Sequence, residues 1–391
     1  MERFAFVLHP LEPVHFSWRF AFTRWFPPRW VEEVFKRLPP MELSHITGIR
    51  SPVGSRAEGW LIGLPLTPRT LLESDLRFVY HRLIQCARLA ERLGAKILGL
   101  GAFTKVVGDA GVTVAANTRL AVTTGNSYTA ATAIEGALRA ADRMGIPLSE
   151  ARAAVVGATG SIGSVCARIL ARKVPSLVLV ARSRRRLESL RERIQGESDA
   201  EVTVSTDPRT GVADADIVLA VTSAPRVLIE PEDLKPGAVV CDVARPRNVS
   251  PAVYQHRDDV LVIDGSVIEV PGEAEFGFDF GYPPGTCEAC MAETMILALE
   301  GRYENFSLGR DLTVEQVQEI ARLADKHGFR LAAFRRLERT LPDEEVDRIR
   351  DRARGVGLAG SSRSPIMGAA RSTGGNGDTV GEDRPRCFFS G

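Results

Sequence analysis

The chain has 391 residues, 44% of them apolar and 25% charged, with a formal net charge of +1. This is the make-up of a globular protein with room for two domains and appendages, and its near-zero charge leaves no footing for nucleic acid as a partner. No run reaches the ~18 apolar residues of a membrane span, and six scattered cysteines with no recognisable secretory leader point to a reducing, cytoplasmic setting, with at most peripheral membrane contact.

Residues 1–120 mix short apolar runs, expected as strands at Phe4–Leu8, Gly59–Leu64, Ile97–Gly101 and Val112–Ala115, with a helix over about Leu72–Leu93. They read as a smaller α/β substrate domain. Lys105 and Asp109 sit on a glycine-bounded loop, either as a working pair or as a solvated turn. In the polar cluster Thr123–Thr129, Asn126 and Ser127 can serve an oxyanion, cap a helix, or both. The alanine-rich run Thr129–Met144, ended by Gly145, makes residues 121–149 a connecting helix.

Residues 150–285 carry the sharpest motif. The apolar strand Ala153–Val156 breaks into Gly157-Ala158-Thr159-Gly160-Ser161-Ile162-Gly163, a helical run Ile162–Leu170 follows, and a second strand is expected at Leu177–Val180. Glycines at this spacing between a strand and a helix mark a dinucleotide-binding turn: Gly157 for the turn, Gly160 for close approach of a pyrophosphate, Gly163 for helix–strand packing. The phosphates would sit on the helix N-terminus, beside Thr159, Ser161 and Ile162. After the second strand comes Ala181-Arg182-Ser183-Arg184-Arg185-Arg186, with no acid to take a ribose 2′-hydroxyl. Arg182, Ser183 and Arg185 therefore point to the 2′-phosphate of NADPH. Further apolar runs at Ile217–Thr222, Ala238–Asp242 and Val260–Asp264 continue a parallel sheet, which puts Thr222 and Ser223 near the nicotinamide. The fold class is α/β, with a Rossmann-type NADP-binding domain, a smaller N-terminal α/β domain and C-terminal helices packing back.

Residues 286–340 hold the chemistry-bearing segment Cys287-Glu288-Ala289-Cys290, expected in the first turn of a helix running to Leu299 and capped by Thr286. A helix N-terminus favours thiolate over thiol, so a nucleophile is one reading and a buried inert thiol is another. The Cys-x-x-Cys spacing lacks the further ligands that zinc needs, and no metal is expected. A second helix is expected at Val314–His327, with His327 in a capping role. Residues 341–391 read as a largely disordered tail, rich in Gly, Ser and Arg beyond about 355.

Taken together, Leu100–Phe103, Thr123–Ser127, Gly157–Gly163, Ala289-Cys290-Met291-Ala292-Glu293, Asn305–Arg310 and Lys326–Phe329 resemble the long-chain acyl-[acyl-carrier-protein] reductases of cyanobacteria, over about residues 46–330. The resemblance implies NADPH-dependent reduction of an acyl thioester, on acyl carrier protein or coenzyme A, to a fatty aldehyde. It places the nucleophile on Cys290 and carries over no role for Cys287. Asn126 and Ser127 would then stabilise the oxyanion, and a downstream aldehyde-consuming enzyme is an implied partner. The segment Phe16–Trp30 interleaves aromatics with Arg19, Arg24 and Arg29. Its aromatics read as core; guiding an acidic carrier, lining an acyl entrance or touching lipid are the other roles it fits.

Two other functions fit parts of the pattern. A shikimate-dehydrogenase-like or amino-acid-dehydrogenase-like enzyme would transfer hydride with no covalent intermediate and would lean on Lys105 and Asp109. A non-catalytic NADPH-binding redox regulator would use Cys287 and Cys290 as a reversible pair.

Overall fold

The computed structural model describes residues 1–105, 108–224, 226–244, 246–279, 281–337 and 339–355, apart from the side chains of Trp18 and Arg19. The tail after 355, with Cys387, and the side chain of Arg19 lie outside the described residues.

The N-terminal part runs β1 (Glu2–Leu8), α1 (Phe16–Arg19), α2 (Pro28–Phe35), β2 (Met41–Arg50), β3 (Arg56–Gly63), α3 (Pro68–Glu73) and α4 (Leu76–Leu93). It continues through β4 (Ile97–Leu100), α5 (Val112–Ala115) and β5 (Ala121–Thr123) to the long helix α6 (Asn126–Met144). β1 is central, parallel to β3 and β4, with β5 parallel beyond β4 and β2 antiparallel to β3. Side chains alternate along β1: Ala5 and Val7 enter a core with α4 residues such as Leu83 and Ala87, while Phe4 and Phe6 enter the larger core on the opposite face.

Val112–Ala115 corrects an expected strand. Its β-branched residues favour extended chain, but Asp109 Oδ2 accepts from the Thr113 N–H at 3.0 Å and from Thr113 Oγ1 at 2.5 Å, which turns the segment into a short helix. The helix expected over Leu72–Leu93 is two helices, because Asp75 caps α4 through the Arg77 N–H.

The nucleotide-binding part runs β6 (Arg152–Val156), α7 (Ser161–Leu170), β7 (Ser176–Val180), α8 (Arg184–Gln195), β8 (Glu201–Ser205), α9 (Pro208–Val212), β9 (Ile217–Ala220), β10 (Val239–Asp242), α10 (Pro251–His256) and β11 (Leu261–Ile263). All six strands are parallel in the order β8-β7-β6-β9-β10-β11, the doubly wound order whose crevice opens between β6 and β9.

The chain then crosses back through β12 (Val267–Glu269), β13 (Gly272–Glu275), β14 (Thr286–Glu288), α11 (Ala289–Leu299), α12 (Val314–His327), β15 (Arg330–Leu331) and α13 (Asp343–Ala353). Residues 272–275 leave the nucleotide domain, in which the sequence placed them, and pair as β13 with β2 at the edge of the N-terminal sheet. α13 is ordered structure inside the stretch read as tail from 341; its Val346 and Ile349 are buried. α6 is buried along most of its length. Its alanines let α7, α11 and α12 approach closely, so one apolar core runs from β1 through α11 and α6 to the nucleotide sheet.

The aromatic segment is only partly core, against the expectation. Phe16 and Phe35 are buried, but Phe22, Trp25, Phe26 and Trp30 are exposed. Among the described residues, no helix is long and apolar enough to cross a membrane.

Candidate active site

β14 pairs with β12, which fixes Cys287 opposite Ile268 and buries it completely; the chain then turns into α11, and Cys290 falls in its first turn. The two cysteines therefore do not share a helical turn, contrary to the expectation from their spacing. Glu288 holds the N-cap position, and Thr286 Oγ1 donates to the Pro283 carbonyl at 2.7 Å instead of capping. Strand pairing wins over the cap signal: the ladder with β12 takes up the backbone at Cys287, and the Thr286 N–H is already satisfied by the Pro283 carbonyl at 3.1 Å.

Cys290 is half-buried and lines a cavity of about 330 Å³. Part of the cavity is walled by Phe6, Leu8, Phe16, Phe20, Phe35 and Leu43. The cavity is also lined by Ile162, at the start of α7, and by Val221, Thr222, Ser223 and Val243, just past the carboxyl ends of β9 and β10. An apolar chamber, a thiol and the nucleotide crevice are thus continuous.

The electrostatics correct one expectation. Burial pushes the Cys290 thiol up, not down; Lys105 opposes that, the carboxylates of Glu288 and Glu293 add to it, and the Ala102 N–H again favours thiolate. A first-turn position contributes only partial charge, which desolvation outweighs. Lys105 lines the same cavity. Asp109, its expected partner, caps Thr113 and is not among the cavity residues, so the Lys105–Asp109 pair is not assembled.

Glu293, one turn along α11 from Cys290, is completely buried and anchors the start of α6. It accepts from the Tyr128 N–H at 2.7 Å, from Ser307 Oγ at 2.7 Å and from Thr123 Oγ1. Burial raises its carboxyl and these donors oppose the rise. Ser127 belongs to this network: its Oγ is hydrogen-bonded to Ser307 Oγ at 2.7 Å, it is fully buried, and it does not line the cavity. The oxyanion role expected of Ser127 is therefore replaced by a packing role. Asn126 points elsewhere, its Nδ2 donating to Ser161 Oγ at 3.3 Å on the first residue of α7. Glu293 carried a legible signal that spacing arguments passed over, a lone carboxylate inside the apolar run Ala292 to Leu299.

Around the glycine turn, Gly157 has φ +93°, and a Cβ there would lie 3.0 Å from Thr222 N. At Gly163 a Cβ would meet the Gly157 carbonyl at 2.2 Å, so only glycine lets α7 sit this close to β6. At Gly160 a Cβ would meet only that carbonyl, at 3.3 Å, and its other side is open beside the α7 N-terminus. With the buried Asn126 Oδ1, which has no hydrogen-bond partner among the described residues, this cradle fits a pyrophosphate and its ribose. Thr159 and Ser161 flank it, half-buried. Arg182 and Arg185, after β7, are exposed and meet no carboxylate among the described residues, whereas Arg184 pairs with Glu188 at 3.4 Å. Ser183 holds the N-cap position of α8 without a side-chain cap bond.

His327 lies away from the cavity. Its ring bridges Ser51 Oγ at 2.9 Å and Glu300 Oε2 at 2.8 Å, and it is buried. Among the described residues no three His, Cys, Asp or Glu side chains gather to hold a metal ion.

Residues 139–264 match the shikimate/quinate 5-dehydrogenase family. The chain is 30% identical over 317 residues to a long-chain acyl-[acyl-carrier-protein] reductase of Synechococcus elongatus, covering 77% of this chain and 90% of that protein. It is 34% identical over 295 residues to the aminotransferase PigE of a Serratia strain, and spans only 34% of that longer protein. Among solved structures, L-tryptophan dehydrogenase from Nostoc punctiforme resembles it at 12% identity and a TM-score of 0.38, covering 91% of this chain and 88% of that one.

Proposed function

The chain belongs to the family of the long-chain acyl-[acyl-carrier-protein] reductase and is an NAD(P)-dependent oxidoreductase, and from that premise we propose that it reduces a long-chain acyl thioester to the aldehyde through an acyl-enzyme on Cys290, with NADPH as reductant. The observation that carries the reading is one cavity lined together by Cys290, by the aromatic and aliphatic wall of Phe6, Phe16 and Phe35, and by Thr222 and Ser223 of the nucleotide crevice. The acyl chain would lie along Phe6, Phe16 and Phe35, where burial of each methylene contributes about 0.8 kcal/mol.

In this mechanism Lys105 and the Ala102 N–H hold negative charge on Cys290 Sγ against the cost of burial. Sγ attacks the thioester carbonyl, its bond to the acyl carbon forms, and the carrier's C–S bond breaks as its thiolate leaves. On this reading the same two groups would also stabilise the oxyanion, in place of Ser127. The Gly157–Gly163 turn, Asn126 and the α7 N-terminus hold the dinucleotide, with Arg182, Ser183 and Arg185 for the 2′-phosphate. The nicotinamide, when bound, supplies the hydride. The apolar wall excludes water that would otherwise hydrolyse the acyl-enzyme. Acyl carrier protein or coenzyme A delivers the substrate, and an aldehyde-consuming enzyme follows in sequence.

Intact-protein mass spectrometry tests this with palmitoyl-coenzyme A and palmitoyl-carrier protein. Wild type should gain one palmitoyl adduct, Cys290→Ala none, and added NADPH should discharge the adduct as aldehyde. A folded, NADPH-binding wild type that forms no adduct with several acyl lengths on either carrier would overturn the covalent route in favour of direct hydride transfer. Among the described residues no ion pair joins Lys105 to Asp109, which is taken up by Thr113, and this speaks against a Lys–Asp site for that alternative.

A further inference from the structure

We propose that residues 22–34 form a membrane-surface anchor that seats this chain on an anionic lipid bilayer. Phe22, Trp25, Phe26, Trp30 and Val34 are exposed by 53%, 87%, 42%, 50% and 37% respectively, on one short stretch of chain. They are not scattered. Phe26 stacks on Trp30 with ring centroids 4.7 Å apart, Phe22 meets Phe26 edge-on at 6.5 Å, and Phe20 meets Phe22 at 6.2 Å. Phe20 also packs on Phe35 at 5.2 Å, and both line the cavity that holds Cys290. A continuous file of rings thus leads from the cavity wall to the outer face of the molecule.

A contiguous apolar patch of this kind marks a surface that something covers. Its charge selects the occupant. Arg24 and Arg29 are exposed within the patch and meet no carboxylate among the described residues. Of the nearby acids, Glu32 is buried and bound by Arg69 and Thr67 Oγ1, and Glu33 is exposed with Arg29 and Arg37 four residues to either side. The outer face therefore combines tryptophan and phenylalanine with unbalanced arginine, the chemistry of a helix lying in the headgroup layer of an anionic membrane. Seated this way, the ring file would bring the cavity to the acyl boundary, where a long-chain aldehyde partitions; that last consequence rests on the proposed function, whereas the anchoring does not.

Co-sedimentation of the full chain with vesicles, without substrate or NADPH, tests the proposal. Wild type should pellet with phosphatidylcholine vesicles containing phosphatidylglycerol, and far less with pure phosphatidylcholine. Trp25→Ser/Trp30→Ser should lower the partition coefficient about tenfold or more, and Arg24→Gln/Arg29→Gln should erase the preference for phosphatidylglycerol. None of these side chains lines the cavity, so NADPH binding and alkylation of Cys290 should be unchanged, which verifies folding. Wild type that ignores both vesicles at low salt, or variants that pellet like wild type, would overturn the anchor. So would protection of Trp25 from aqueous quencher by acyl carrier protein and not by vesicles, since the face would then be a protein-docking surface. Because no turnover is read, failure of the anchor and failure of the thioester chemistry are separable.

Discussion

The backbone N–H of Tyr128 donates to Glu293 Oε2 at 2.7 Å, tying the third residue of α6 to the helix that carries Cys290. The carboxylate sits at a helix N-terminus, where the dipole favours it, and holds α11 and α6 in fixed register across the core. Glu293→Ala would leave the Tyr128 N–H and the Thr123 hydroxyl without an acceptor, while the Ser307 hydroxyl keeps Ser127 Oγ, and should destabilise the fold by about 3 kcal/mol, read by urea denaturation. Glu293→Gln keeps the shape and one acceptor, and should lose less stability. Since burial raises the Glu293 carboxyl in the folded state, the folded chain holds its proton longer than the unfolded one. Its contribution to stability therefore falls as pH rises from the ordinary carboxyl value through the folded one, and the stability difference between wild type and Glu293→Gln should shift against wild type over that window.

Gly125 and Cys290 are in direct apposition. With φ +71°, Gly125 adopts a left-handed backbone, and a Cβ there would lie 2.3 Å from Cys290 Cα. Gly125→Ala should cost about 2–4 kcal/mol from strain and overpacking together, and should slow Cys290 alkylation by displacing α11. Wild-type stability and reactivity in this variant would contradict the apposition.

Alkylation of Cys290 by iodoacetamide, followed against pH by peptide mass mapping, should rise only above the ordinary thiol range of about 8.5, because burial raises the thiol. Lys105→Met removes the opposing charge, so the profile should move to still higher pH and the rate at pH ~8 should fall about tenfold. Glu288→Gln removes a like charge and should move the profile the other way. Coincident profiles for all three would mean that these groups do not act on the thiol.

If Arg182 and Arg185 hold the 2′-phosphate as proposed, Arg182→Ala/Arg185→Ala should weaken NADPH binding by about ten- to a hundredfold while leaving NADH nearly unchanged, since the lost guanidinium contacts would be to that phosphate alone. Fluorescence titration with each nucleotide decides it. An equal loss for both would place these arginines on the pyrophosphate or nowhere near the nucleotide.

His327→Asn should lower stability by about 1–3 kcal/mol through the lost bridge between Ser51 and Glu300, with kcat/KM for a thioester substrate unchanged. A selective loss of kcat would instead assign His327 a part in the chemistry.

The nucleotide-binding half was legible because its information is local. Gly157, Gly160 and Gly163 declare a strand–turn–helix within a few residues, since only glycine relieves contacts as close as the 2.2 Å between a Gly163 Cβ and the Gly157 carbonyl. The basic run at Arg182 to Arg186 likewise needs no partner to be read as lacking the NAD-type acid. Cys290 was legible as a candidate from its place at a helix start, but its environment was not.

What only the tertiary structure decided is everything that depends on desolvation and on contacts between distant segments. Cys287 went to a strand because β12 was there to pair with it, and Ser127 went to Ser307, 180 residues away. The sign of the shift on Cys290 reversed because burial in an assembled cavity outweighs the partial charge of a helix terminus. Lys105 reached that cavity while Asp109 turned to cap Thr113, and half of an aromatic segment read as core faced outward. Periodicity and spacing determined the α/β pattern and the dinucleotide turn by themselves; which polar groups lost water, and to whom, was settled by packing.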